Sequence, residues 1–296
     1  MSAPAGPSPQ PSPASGRGSR AAAGEGRGAR DGSVAERIWR RFSPAQRLAR
    51  FTVHLVIVAA IVASLHSVEV IPEFLADAPE QVVDLLTRMW PPDWAHYPES
   101  IHDALVETLH IATLGTLLAL VMALPVGILA ANNLVPSTPV NLVAKLILVS
   151  SRSVNSLVWA LLFVGIFGPG ALAGTLAIAF HSIGFVGKLF GEALEEAQPG
   201  PIEALTAAGA PWASRMTFGY WPQVSPAFWS IALFRWDINV RESAVLGLVG
   251  AGGIGMALDS ALNLFEWPRV AVVLAAIFAV VIVAEILVTQ LRKRVI

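Results

Sequence analysis

Six apolar stretches, each long enough to cross a bilayer as a helix, leave this chain few ways to fold. A hydrocarbon core takes ~20 mostly apolar helical residues per crossing, because unsatisfied peptide groups are costly there and only helices or closed barrels satisfy all of them. The stretches run over Phe51–Val70, Leu109–Ala131, Val140–Phe167, Leu172–Phe190, Val224–Val249 and Arg269–Gln290. They are continuous rather than alternating, which excludes a transmembrane β-barrel. The expected fold is an all-α integral membrane protein with six transmembrane helices. Composition agrees, with 54% hydrophobic and 14% charged residues against about 25% charged in soluble domains. Pro125, inside the second stretch, is compatible with a spanning helix whose neighbours satisfy the freed carbonyl.

Short loops rich in arginine and lysine stay in the cytoplasm. Arg37, Arg40, Arg41, Arg47 and Arg50 precede the first span, and Arg292, Lys293 and Arg294 follow the last. Both termini are therefore expected in the cytoplasm. Between the first two spans Glu69, Glu73, Asp77, Glu80, Asp84, Asp93 and Glu99 face a single base, Arg88, which suits an external loop. The domain plan that follows has a disordered cytoplasmic tail over 1–36, a basic juxtamembrane segment and first helix over 37–71, and an external acidic loop over 72–100. A five-helix core then fills 101–296, with a cytoplasmic loop at 191–222. The tail is Pro, Ala, Gly, Ser and Arg with almost nothing apolar, too poor in core residues to offset its ordering entropy; its arginines can also meet anionic lipid. The first apolar run starts too late and is too long for a cleaved signal, so the first span is expected to be an uncleaved anchor. There is no cysteine, which removes disulfides, thiolate nucleophiles and most structural zinc. The net charge of −1 discriminates nothing; no nucleic-acid partner is expected.

The fifth span carries Arg235, Asp237, Asn239, Arg241 and Glu242. Charges at bilayer depth cost ~2.5 to 3.5 kcal/mol each on insertion scales, so these residues must face protein, water or one another. Asp237 and Arg241 are spaced to pair on one face, and Arg235 and Glu242, seven apart, share a stripe. Two readings stand: a structural salt bridge, or a path for an anionic substrate, to which arginine offers a forked donor set. In the third span Arg152 and Asn155 form a second polar spot about two turns beyond Lys145, which is expected to snorkel to the cytoplasmic face. Asn155 suits pore lining and interhelical hydrogen bonding equally. His181, with Ser182 as a candidate partner, suits a hydrogen-bonded core position better than a proton relay.

Gly250–Gly255 matches the dinucleotide-binding fingerprint letter for letter, but it follows a transmembrane segment where that motif requires a strand. A tight re-entrant turn with close backbone packing is the expectation. Gly170 with Gly174, and Gly187 with Gly191, fit the GxxxG spacing of helix contacts. No phosphate-binding GxxxxGK[ST] loop and no HExxH or GxSxG motif occurs. The chain is thus expected to be no enzyme and to bind no cofactor or metal of its own.

In the cytoplasmic loop, Pro199-Gly200-Pro201 marks a break, after which a helix is expected from near Ile202, with Glu203 in its first turn favourably placed against the dipole. Ala204, Ala207, Ala208 and Gly209 give it a small-residue face that another protein could approach closely. On composition alone a docking helix and a plain connector between spans are equally good readings.

Glu203-Ala204-Leu205-Thr206-Ala207-Ala208-Gly209 with Pro222 after it resembles the coupling loop of binding-protein-dependent ABC importer permeases. In that family the loop is a short helix seated in a cleft of the ATPase subunit. The family's usual third-position Ala is Leu205 here, and its apolar pair near the proline is replaced by Gly219 and Trp221. Leu157–Val164, His181–Gly184, Phe218–Gln223 and Asn239–Gly255 further resemble permeases of phosphonate importers, over most of the chain from about residue 100. Val154-Asn155-Ser156 stands where that family commonly has Ile-Pro-Glu.

The resemblance implies type I ABC importer architecture, with Glu203, Ala204, Gly209 and Pro222 as the ATPase-coupling residues. It implies import of phosphonate, phosphite or phosphate by alternating access. Its partners would be a second permease copy or a paralogue, two ATPase subunits that hold ATP and Mg, and a periplasmic or lipid-anchored binding protein. The alternatives are a permease of the same build for another solute such as methionine, and a stand-alone secondary transporter or intramembrane enzyme.

Overall fold

A computed structural model of the protein describes residues 44–68 and 72–295. The tail at 1–36 and Arg37, Arg40 and Arg41 lie outside the described residues. The chain divides into two compact units, residues 1–70 and 71–296. The first contains helix α1 (Pro44–Ser67), apolar and exposed along its described side chains.

The second unit opens with α2 (Pro72–Met89), within the stretch expected from the sequence as the acidic loop. Its acidic residues are spaced as on an amphipathic helix, and Asp84 pairs with Arg88 one turn on at 2.8 Å. Then follow α3 (His102–Ala130), α4 (Thr138–Ser153), α5 (Ser156–Phe167), α6 (Ala171–Glu195), α7 (Pro199–Ala207), α8 (Trp212–Ser214), α9 (Trp221–Leu246), α10 (Ile254–Asn263) and α11 (Trp267–Val295). No strand occurs among the described residues. Among the described residues four helices are long and apolar enough to cross a membrane singly, and two bent pairs bring the number to as many as six.

The first bent pair is the third expected span with a break in it. The stretch from Val140 to Phe167 is interrupted by the polar run Ser150–Ser156, and there α4 and α5 meet at 90°. The cause is local and polar: Val154 is extended, and the Asn155 side chain accepts from the Leu157 N–H at 2.9 Å, capping a new helix. Two of the carbonyls freed by the break find side-chain donors. His181 Nδ1 donates to Val154 O at 3.0 Å and Trp159 Nε1 to Ser151 O at 3.4 Å, which is what non-helical backbone at membrane depth requires.

The second bend, of 40°, follows α9. Gly250, Gly252 and Gly253 all have positive φ, so the glycine run forms a turn that other residues enter only with strain. Gly170 N–H donates to Gly250 O at 2.9 Å. A side chain at Gly174 would run into Ala251 O.

Helix α6 is the centre of the second unit, packed against α3, α4, α5 and α9. The α3–α6 seam is narrow because a Cβ at Gly127 would lie 2.9 Å from Gly187 O and one at Gly191 3.1 Å from Gly127 O. Gly187 and Gly191 thus mark a close helix approach, with Phe190, Leu194, Val224 and Phe228 filling the space beside them, whereas Gly170 precedes α6 with nothing within 4 Å of where a Cβ would lie.

Candidate translocation site

The polar residues of α9 are threaded into a network that reaches α3 and α6. Arg235, with its side chain 5% exposed, donates from Nε to Ser182 Oγ at 2.8 Å and from Nη2 to both Glu242 oxygens at 3.3 and 3.2 Å. Its guanidinium carbon also lies 5.6 Å from the Phe185 ring centroid, within cation–π range. Ser182 Oγ donates to Asn239 Oδ1 at 3.2 Å, and Asn239 Nδ2 to Thr116 Oγ1 at 2.8 Å. Ser182 is therefore the partner of Arg235 and Asn239, while His181, its candidate partner from the sequence, reaches Glu242 and Val154 instead: successive residues on a helix point in different directions.

Both expected ion pairs are present. Arg235–Glu242 is buried at the arginine, and Arg241 pairs with Asp237 while remaining 48% exposed. Asp237 Oδ1 has no hydrogen-bond partner among the described residues, so Arg241 alone compensates this carboxylate. Sequence reasoning missed the α3 acceptors Thr108, Thr113 and Thr116. Thr113 accepts from Trp236 Nε1 at 3.0 Å, and Thr108 Oγ1 accepts from the Ile254 N–H at 2.7 Å while its carbonyl accepts from Ser243 at 3.2 Å. Hydroxyls recurring through an otherwise apolar helix are the signal that would have found them.

Asn155, Arg241 and Glu242 line one open cavity of about 300 Å³ with Ser156, Leu157, Val245 and Leu246. His181 bridges this cavity to the α4–α5 break, since its Nε2 lies 3.9 Å from Glu242 Oε1 while Nδ1 holds Val154 O. Arg152 is not brought to this group. It lines a different cavity between α4 and α6, with Lys145 and Lys188. Lys145 Nζ donates there to Asn132 Oδ1 at 2.8 Å.

The α7 segment corrects the expected helix start. Helix α7 begins at Pro199, the position where a proline's fixed φ is preorganised, and Glu203 falls beyond its first turn. Gln223 at the start of α9 ties down the residue before it: Oε1 accepts from the Gln198 N–H at 2.9 Å and Nε2 donates to Gln198 O at 3.4 Å. The helix ends in a Schellman motif, with Gly209 at φ 73° and bonds from Gly209 N–H to Thr206 O and from Ala210 N–H to Leu205 O, both 3.0 Å.

A Cβ at Gly219 would lie 3.3 Å from Leu205 and 3.4 Å from Ile202. Two of the departures from the coupling-loop pattern, Leu205 and Gly219, are thus complementary: the larger side chain occupies the room the missing one leaves. Glu203, Ala204, Ala207, Ala208 and Gly209 remain exposed. Pro222 sits in the first turn of α9.

A family model described as the binding-protein-dependent transport system inner membrane component matches residues 123–296. The phosphate-import permease protein PhnE of Mycolicibacterium smegmatis is 39% identical over 234 residues, covering 79% of this chain and 44% of that protein. This chain therefore spans less than half the length of that relative. The phosphite transport system permease protein PtxC of Stutzerimonas stutzeri is 40% identical over 212 residues, 72% of this chain and 77% of that protein.

A probable D-methionine permease, MetI of Pasteurella multocida, is 28% identical over 160 residues, covering 51% of this chain and 74% of that protein. Among solved structures, an inward-facing MetNI methionine ABC transporter matches with a TM-score of 0.57 at 22% identity, over 66% of this chain and 96% of the matched one. An amino acid ABC transporter also matches at 0.57, with 21% identity over 68% and 96%. Both likenesses concern the fold. With more than half of its length under the family model and the permease fold around it, this chain belongs to the binding-protein-dependent transport system inner membrane components.

Proposed function

We propose that this chain is the membrane-spanning permease of an ATP-driven importer for phosphonate, phosphite or phosphate, with both termini and α7 in the cytoplasm. The observation that carries the reading is the cavity where Asn155, Arg241 and Glu242 meet. Arginine and carboxylate pairs open to a cavity at membrane depth would be costly against lipid, and they suit an aqueous route instead. The substrate class draws support from relatives named for phosphate and phosphite, which match more of the chain, at higher identity, than the one named for methionine.

In this reading Arg241 presents its exposed donors to the oxyanion while Asp237 fixes its orientation. Arg235 stands behind, held by Glu242 and Ser182. Asn155 offers an amide from the other wall, and Asn239 positions Ser182. Arg152 would act elsewhere along the route. Glu203, Ala204 and Gly209 form the surface offered to an ATPase subunit, and Pro222 starts the helix that carries the motion into α9. Two ATPase subunits would hold ATP and Mg, a binding protein would deliver the substrate, and a second permease copy or a paralogue would complete the path.

The test is purification of the tagged chain with whatever accompanies it, followed by reconstitution and uptake. A co-purifying ATPase stimulated by binding protein loaded with phosphonate is the expected result. Arg241→Gln keeps a donor for Asp237 and is expected to lower uptake at least about tenfold, equivalent to 1.4 kcal/mol. Wild-type uptake by that variant would remove Arg241 from the path, and transport without ATP would overturn the importer reading.

A further inference from the structure

The cavity between α4 and α6 lies on the side of the fold that carries α7, and the α4–α5 break separates it from the cavity at Arg241. Its volume is about 290 Å³ and its cationic lining is Lys145, Arg152 and Lys188. Two carboxylates share it, and both are engaged: Glu192 with Lys188 at 3.3 Å, and Glu195 with the Asn132 N–H and Nδ2, each at 2.7 Å. Lys145 is held by Asn132. Arg152 has no hydrogen-bond or ion-pair partner among the described residues. Arg152 is exposed at this groove, and a guanidinium open beside two lysines offers a small anion a bidentate partner.

The seam between the two cavities is tightly closed. Ser151 donates to Phe180 O and accepts from the Gly184 N–H at 3.1 Å. A Cβ at Gly184 would meet Leu148 O and lie 2.9 Å from Arg152 N. One broken span thus carries Asn155 into the first cavity and Arg152 into the second.

We propose that the α4–α6 groove is a second anion site, in which Arg152, Lys145 and Lys188 receive a small phosphate-bearing oxyanion on the α7 side of the break. Its volume lies at the bottom of the ~300–1,000 Å³ range of drug-sized pockets, so a phosphate-sized group fits and a large ligand does not. The proposal rests on the importer reading for the identity of the anion: free phosphate or phosphonate leaving the path, or the phosphodiester of a lipid headgroup reaching the same cations.

The absence of cysteine makes the test direct. Val149 lines the groove and is exposed, so Val149→Cys in the full chain, with its co-purified partners in nanodiscs, places a single thiol beside the site. Its labelling by a small maleimide is followed on this chain. In phosphatidylcholine discs, inorganic phosphate or methylphosphonate at about ten times the dissociation constant is expected to slow labelling about tenfold, with chloride at equal ionic strength as the control. Adding Arg152→Gln or Lys188→Gln should abolish that protection. Protection by phosphatidylglycerol but not by free phosphate would assign the site to a lipid headgroup. Protection by neither, or protection unchanged in Arg152→Gln, would overturn the proposal. Methylphosphonate uptake measured in parallel separates the two claims. Uptake without protection removes the site and leaves the importer reading, whereas protection by phosphate without phosphonate uptake does the reverse.

Discussion

The interior of α9 and the surface of α7 treat polar residues in opposite ways. In α9, Arg235 is bonded to Ser182 and Glu242, and Asn239 joins Ser182 to Thr116. These groups are spoken for within the chain, as low dielectric surroundings demand. In α7, Ile202 and Leu205 turn inward over Gly219, while Glu203 is exposed and has no ion pair among the described residues. The contrast teaches where each region's meaning lies. What α9 contributes is settled largely inside this molecule, whereas α7 presents a built, capped helix whose outer face has nothing here to touch.

Substitutions that break the α9 network should therefore cost folding first. Arg235→Ala would leave Glu242 without its main compensating charge, and a loss of about 3–5 kcal/mol is expected from removing one partner of a buried pair. Thermal unfolding of the purified protein should show it as the largest drop in melting temperature. The double substitution Arg235→Met with Glu242→Leu should recover most of that stability while leaving uptake abolished. A double variant no more stable than the single would mean that the pair is not what holds α9. Asn239→Ala comes next: it takes the acceptor from the Ser182 hydroxyl, while Thr116 keeps its bond to Ala112 O at 2.6 Å, at about 1–3 kcal/mol for a buried polar group left unpaired. Little or no loss would show that the Ser182 hydroxyl re-pairs within its own helix.

How much of this contrast the sequence held depends on the kind of signal. Continuous apolar runs announced the spanning helices, and the spacing of residues 235, 237, 241 and 242 announced both ion pairs, since each depends only on period. The 90° turn at Asn155 was hidden because the polar run Ser150–Ser156, where Asn155 caps the new helix, reads equally well as a polar stripe within one span. The helical state of 72–89 was likewise hidden, because acidic composition describes a solvated surface whether or not it is wound. Separation of Arg152 from Asn155 follows from that turn: three residues apart on one helix they would share a face, but across a break they serve different cavities. The partners of α9 on α3 escaped notice for another reason, since Thr108, Thr113 and Thr116 acquire meaning only when α3 lies beside α9.

On the α7 side the expected effects on stability are small. Gly209→Val forces a β-branched residue into the left-handed region, a local penalty of about 1–2 kcal/mol, and should fray the end of α7 while the membrane core melts as before. A lowered core melting temperature would mean that α7 is wired into the core more tightly than Gln223 and Gly219 suggest.

Glu203→Ala is the smallest perturbation and the sharpest test. The side chain is exposed and without an ion pair among the described residues, and alanine is a better helix former than glutamate, so the melting temperature should not fall. If the outer face of α7 is where an ATPase subunit docks, this silent substitution should nevertheless lower uptake and weaken the coupling of ATP hydrolysis to substrate. That pairing of unchanged stability with lost transport is what the buried Arg235 and Asn239 of α9 should not produce. Full uptake by Glu203→Ala would return α7 to the role of a connector between spans, and the difference between the two regions would then be one of exposure alone.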